Sequence, residues 1–236
     1  MALPKINAPR YDLVLPSTGQ KVSYRPYLVK EEKIIMMAAE SADEGQMVRA
    51  VKDVIASCTD NGVDTNNITM FDLEYVFIQL RAKSVGESTT IKARCAECSE
   101  MNDVDVDLSN TRVDMPKDAQ KGVTKQLTDD ISVVLKYPNV DTVVSATEKA
   151  TDVDAAFNLI ASCMDAIYQG DSVYDVSTAS REEIVEFIES LNTQQFGQLQ
   201  EFVESMPSAK MDIQFKCTHC SHDNTTEVRG LANFFS

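Results

Sequence analysis

Histidine is nearly absent from this 236-residue sequence: there are two, His219 and His222, and both stand beside cysteines near its C-terminal end. No histidine is left elsewhere to act as a general base or as the middle member of a nucleophilic triad. Phosphate-binding glycine loops, the dinucleotide fingerprint and the G-x-S-x-G elbow are missing as well. Positive charge is scarce, with 22 Lys and Arg against 37 Asp and Glu and a net charge of −15. Nucleic-acid binding needs a basic face to neutralise phosphates, and anionic bilayers attract polybasic segments, so both are disfavoured as partners. No stretch approaches the roughly 20 consecutive apolar residues of a membrane span. The opening, Met1-Ala-Leu-Pro-Lys5, has no apolar core of the kind a secretory leader carries. The expected setting is therefore reducing cytosol, where the six cysteines serve as thiols or metal ligands rather than disulfides.

What is present is an ordinary globular composition, 43% apolar and 25% charged. A chain of this length can bury about 70–75% of its unfolded surface. Tyr11–Leu15 and Lys21–Tyr24 read as a hairpin around Pro16-Ser-Thr-Gly-Gln20, and helices follow over 28–40 and from the N-cap Asp43 to Cys58. Thr69 opens a third helix, apolar nearly all the way round and hence predicted to be central and buried. Short strands over 88–94 and 102–108 flank Cys95-Ala-Glu-Cys98. A second series then begins: strands over 123–127 and 131–136, a helix over 139–150 and another from Asp152 to about Tyr168. Ser180-Arg-Glu-Glu183 is a capping box for a helix to Leu191, and Thr193 caps one running to Met206. Strands around Cys217-Thr-His-Cys220 complete it.

The order hairpin, proline, helices, Cys-x-x-Cys hairpin thus occurs twice. Pro26 matches Pro138, Ile55-Ala-Ser-Cys58 matches Ile160-Ala-Ser-Cys163 and Cys95 matches Cys217, at offsets that drift between 105 and 122 residues. The expected fold is α+β, two duplicated hairpin–helices–zinc-knuckle halves over 1–116 and 117–236 that share a pseudo-twofold, zinc-ribbon-like site of four cysteines. The competing reading is a chance likeness of two α+β halves.

Cys95, Cys98, Cys217 and Cys220 are the candidate metal ligands. A two-residue spacer lets both thiolates of a turn face one tetrahedral ion, and two such turns make a structural tetracysteine site for one Zn2+ per chain. The 118 residues between the pairs far exceed the spacing of a local zinc ribbon, so the site requires the two halves to bring their hairpins together. Redox chemistry is the weaker alternative, because a reactive Cys-x-x-Cys sits at a helix N-terminus and these pairs sit between strands. Two buried, unligated thiol pairs are a further alternative. His219 and His222 fall outside the two-residue spacing and are expected beside the site or exposed, while Cys58 and Cys163 are expected in the core. A closed set of four thiolates leaves no open position for water, which disfavours a metallohydrolase and leaves no catalytic residue and no small-molecule substrate to name.

Residues 141–206 carry thirteen acidic side chains against Lys149 and Arg181. Within 181–206, Ile184, Phe187, Ile188, Leu191, Phe196, Leu199, Phe202, Val203 and Met206 keep helical spacing, with the glutamates mainly opposite. That face is either simply solvated or a docking face for a basic partner. At the end of the sequence, Leu231, Phe234 and Phe235 are expected either to fold back on the core or to anchor in a neighbouring protein.

Three segments carry a resemblance: Leu15-Pro-Ser-Thr-Gly19, Tyr24-Arg-Pro-Tyr-Leu-Val-Lys-Glu-Glu-Lys33, and Phe71-Asp-Leu-Glu-Tyr75 with Leu80-Arg-Ala-Lys-Ser-Val-Gly-Glu87. They resemble the baseplate hub assembly protein family of T4-like contractile-tailed phages. The resemblance covers about the first hundred residues and implies a non-enzymatic protein that helps build, or forms part of, the central hub. It implies hub and tail proteins as partners, and a location in the host cytoplasm during assembly or in the virion tail. The competing class is a zinc-ribbon adaptor in transcription. Lys92, Arg94, Lys216 and Arg229 would supply its charge, but no series of stacking aromatics accompanies them.

Overall fold

The structure, a computed structural model, describes residues 7–41, 43–116, 122–148 and 150–230. Leu231, Phe234 and Phe235 lie outside the described residues. The fold is mixed: helices accompany small antiparallel sheets. It divides into two compact units, one of residues 1–114 with 208–236, the other of residues 115–207. These units are cut differently from the expected halves over 1–116 and 117–236, because residues 208–230 pack with the first unit rather than with the segment that precedes them.

The first unit opens with β1 (Tyr11–Val14) and β2 (Lys21–Tyr24), paired antiparallel. Gly19, at φ +70°, permits the turn between them. α1 (Val29–Glu40) and α2 (Glu44–Cys58) follow, and the Asp43 carboxylate accepts the Gln46 N–H at 2.9 Å to cap α2 as its position predicts. α2 buries Val51, Val54, Ile55 and Cys58, one face at helical spacing. α3 (Met70–Ser84) starts at the Thr69 cap and buries Phe71, Leu73, Val76, Phe77, Ile78 and Leu80, so the central helix read from its all-round apolarity is where it was expected. β3 (Ser88–Arg94) pairs with β4 (Met101–Asp107) in full register from Ser88↔Asp107 to Arg94↔Met101. Alternation sets their inner face: Ile91, Ala93, Val104 and Val106 are buried, whereas Lys92 and Asp103 form an exposed ion pair on the other face.

Three joints tie this unit together, and all involve the segments that carry the family resemblance. The Ser17 N–H donates to the Asp72 carboxylate at 3.0 Å, and the Ser17 hydroxyl donates to the same group. Arg25 pairs with buried Glu31 at 2.9 Å and donates to the Ser57 carbonyl and hydroxyl. Glu31 in turn accepts the Leu28 N–H at 2.8 Å and so closes the start of α1. Burial opposes its charge, but the bonds from Arg25, the Leu28 N–H, Lys30 and Ser57 outweigh this and lower its pKa to about 2. Glu74 accepts the Ala209 N–H at 3.0 Å.

The second unit begins with β5 (Val123–Gln126) and β6 (Ile131–Leu135), then α4 (Val140–Thr147) and α5 (Asp152–Cys163). α5 stops at Cys163, not near Tyr168. Residues 164–169 form β7 (Met164–Gln169), which pairs with β6, and Gly170 at φ +56° turns the chain into β8 (Ser172–Asp175). The pairing offered by β6 overrides helical continuation. The sheet order is β5-β6-β7-β8, all antiparallel. α6 (Arg181–Glu189) is capped by the predicted Ser180–Glu183 box, and α7 (Thr193–Glu204) by Asn192, one residue before the expected Thr193. The core joins Val133, Leu135, Ile160, Cys163, Ile188, Leu199 and Phe202. Glu182, Glu186, Glu189, Glu201 and Glu204 remain exposed, opposite that core.

The chain then rejoins the first unit. Arg112 and Lys210 exchange backbone hydrogen bonds at 2.9 Å in both directions. β9 (Lys210–Lys216) and β10 (Asp223–Arg229) form a hairpin whose Met211 and Ile213 join Ile78, Ile91, Val104, Val106 and Leu108 in one apolar cluster. α3 therefore underlies both knuckle hairpins.

Candidate metal centre

Each knuckle loop is closed the same way. The Cys95 N–H donates to the Glu100 carbonyl at 2.9 Å and the Ser99 N–H to the Cys95 carbonyl at 3.0 Å; the Cys217 N–H donates to the His222 carbonyl at 2.9 Å and the Ser221 N–H to the Cys217 carbonyl at 3.0 Å. Ser99 and Ser221 take left-handed backbone, φ +62° and +59°. This geometry points both thiols of each loop outward toward the other loop.

The four predicted ligands come together. Cys95 Sγ lies 3.7 Å from Cys220 Sγ, Cys98 Sγ lies 3.6 Å from Cys217 Sγ, and all four sulfurs fall within 4.8 Å of one another. Four sulfurs at the ordinary Zn–S distance on a tetrahedron stand about 3.8 Å apart, so the donor set fits a four-coordinate thiophilic ion. Cys95 and Cys217 are buried at the base, while Cys98 and Cys220 face solvent. Backbone N–H groups separate the sulfurs electrostatically. The Cys98 N–H lowers the Cys95 pKa and the Cys220 N–H lowers that of Cys217. At Cys98 and Cys220 the backbone N–H groups of Glu100 and His222 also favour ionisation, but desolvation and the neighbouring sulfurs win and raise both. A bound dication would offset the mutual repulsion of four thiolates held this close together.

Asn102 and Asn224 are buried between the loops, 3% and 5% exposed. Neither was singled out from sequence, although the signal was available: Cys-x-x-Cys-Ser-x-x-Asn occurs at 95–102 and again at 217–224. His219 and His222 contribute backbone only, the His219 N–H reaching Cys217 Sγ at 3.4 Å and the His222 carbonyl accepting from Cys217 and Asn224. Their side chains are exposed and stand outside the ligand cluster. Cys58 and Cys163 are core thiols as expected, and burial raises their pKa values to about 11 and about 12.

Fold and site together define a mixed α+β protein whose two distant hairpins converge on a tetracysteine cluster able to hold a metal ion. The chain belongs to the T4 bacteriophage base plate protein family, whose model matches residues 8–236. It is thus a phage baseplate protein, and the family suggests a structural role in the tail. No curated protein and no solved structure matches the chain.

Proposed function

We propose that this protein is a non-enzymatic part of the baseplate hub, acting through contacts with other hub or tail proteins, present in the host cytoplasm during assembly and then in the virion tail. One Zn2+ per chain, held by Cys95, Cys98, Cys217 and Cys220, fastens its two knuckle hairpins. The observation that carries this reading is the completeness of the ligand set: four protein sulfurs fill a tetrahedron and leave no position for water or substrate, so the ion stabilises structure instead of performing chemistry. The net charge of −15 favours protein partners over nucleic acid. Exposed Val29, Met36 and Met37 on α1 offer apolar contact surface. The repeated eight-residue knuckle frame, and the order hairpin, helix, helix in both units, support a duplication underlying 1–116 and 117–236.

Metal analysis of purified protein is expected to give about one equivalent of zinc per chain, falling sharply in Cys98→Ser. Crosslinking in purified phage particles and tail intermediates is expected to join the chain to hub proteins. Absence of metal together with unchanged stability after exhaustive chelation removes the zinc reading. Crosslinks confined to proteins outside the hub remove the hub assignment.

A further inference from the structure

The asparagines of the repeated frame each act on the opposite loop. Asn102 Oδ1 accepts the Thr218 N–H at 2.9 Å and the Thr218 hydroxyl at 3.0 Å, and its Nδ2 faces Cys217 Sγ at 3.6 Å. Asn224 Oδ1 accepts the Ala96 N–H at 2.9 Å, and its Nδ2 faces Cys95 Sγ at 3.5 Å. Each also secures its own loop, since Asn102 Nδ2 donates to the Glu100 carbonyl and Asn224 Nδ2 to the His222 carbonyl, both at 3.0 Å. With backbone N–H groups on the oxygens and carbonyls on the nitrogens, the orientation of both amides is dictated by their partners.

We propose that Asn102 and Asn224 are reciprocal positioning residues for the metal: they lock the two loops in register and donate one N–H each to the buried sulfurs of Cys217 and Cys95. This rests on the tetracysteine cluster being a zinc site. Four thiolates around a dication leave an excess of two negative charges. The solvent-facing sulfurs of Cys98 and Cys220 can be relieved by water, whereas Cys95 and Cys217, 1% and 2% exposed, depend on protein donors. The asparagines add side-chain donors to the backbone N–H groups already directed at these two sulfurs. Because each spans to the other loop, losing either one loosens a ligand that is more than a hundred residues away in sequence.

The test uses the full chain as wild type, Asn102→Ala, Asn224→Ala and Asn102→Asp. Each is loaded with Zn2+ for chelator competition and with Co2+ for sulfur-to-cobalt charge-transfer absorption, with far-ultraviolet circular dichroism as a check of folding. Both alanine variants are expected to bind about 10–100-fold more weakly, and their charge-transfer bands to move to lower energy as the sulfur loses its donor. Asn102→Asp is nearly isosteric and retains the oxygen that accepts from Thr218, but places an acceptor beside Cys217. It is expected to bind at least as weakly as Asn102→Ala and keeps the test decisive if that variant does not fold. Wild-type affinity and band position in Asn102→Asp, or in both alanine variants, overturn the proposal and leave the zinc reading intact. A wild-type chain that takes up neither ion removes both.

Discussion

Glu31, Thr59, Asp72, Glu74, Asn102, Thr111 and Asn224 are the buried polar or charged residues among the described residues, and all lie in the first unit. Among its described residues the second unit buries none. It is continuous in sequence, and its single four-stranded sheet shares an apolar core with its helices. Among its described residues the first unit has three separate two-stranded hairpins, each too small to stand alone, and it draws on segments far apart in the sequence. Apolar contact is non-directional and leaves open which distant segments meet, whereas Ser17–Asp72, Arg25–Glu31, Glu74–Ala209 and the crossed asparagines are directional and fix which segments meet. The difference teaches that specificity of assembly is concentrated where sequence continuity is lost.

The comparison is tested most severely by one truncation in each unit. Arg25→Ala leaves the Glu31 carboxylate buried without its main partner and is expected to cost about 3–5 kcal/mol, as loss of one member of a buried pair does. Phe202→Ala removes a ring stacked on Tyr137 at 5.3 Å and is expected to cost about 3–5 kcal/mol by cavity formation. Hydrogen exchange resolved by segment should show the first change exposing residues 11–114 and the second residues 123–206. Uniform loss across both units in each variant would dissolve the distinction.

Acid should separate the units next. Glu31 has a folded pKa near 2, below its ordinary value of 4.5, so its contribution is complete above pH 4.5 and lost as pH falls through about 2. That shift corresponds to about 3 kcal/mol. Asp72, whose pKa burial raises, works in the opposite direction and offsets part of it. Denaturant titrations from pH 5 to 2 are expected to show a falling stability of the first unit whose slope Glu31→Gln reduces, the lowered pKa values of Asp107, Asp114 and Glu227 sustaining the rest. An unchanged slope in Glu31→Gln would assign the acid sensitivity elsewhere, the thiolate cluster included. The smallest effect is local: Ser180→Ala removes the cap of α6 and should cost about 1 kcal/mol, seen as faster exchange in its first turn with the first unit untouched.

What was legible in the sequence follows the same division between near and far. Helices α1 to α3 and their caps at Asp43 and Thr69, the β1–β2 and β3–β4 hairpins and the Ser180 box are written in neighbouring residues. The end of α5 was misplaced because β7 owes its conformation to β6, about thirty residues earlier. The compact units are cut differently from the expected repeats for a related reason, since the residues that join them, Glu74 with Ala209 and Arg112 with Lys210, meet only in three dimensions. At the candidate metal site, thiol spacing made the four cysteines readable. Asn102 and Asn224 were legible only through the repeat of the eight-residue frame, because nothing local marks a polar strand residue as buried. The segments that carry the family resemblance supply Ser17, Arg25, Glu31, Asp72 and Glu74 to the joints.

The paired crossing at Arg112 and Lys210, where the chain leaves the first unit and re-enters it, imposes a timetable on synthesis. Around it Lys210 contacts Asp114 and Glu227, and Arg112 contacts Asp212, so the closure is fastened by charge as well as backbone. A nascent chain can complete the second unit while Cys95 and Cys98 are still waiting for their partners. Folding of that unit first shortens the effective loop that must close, which lowers the entropic cost of joining residues so far apart. The four sulfurs thereby meet only in chains translated past Cys220. Closure of the four-cysteine cluster marks a polypeptide synthesised through both knuckles, and chains terminated before the second would lack it.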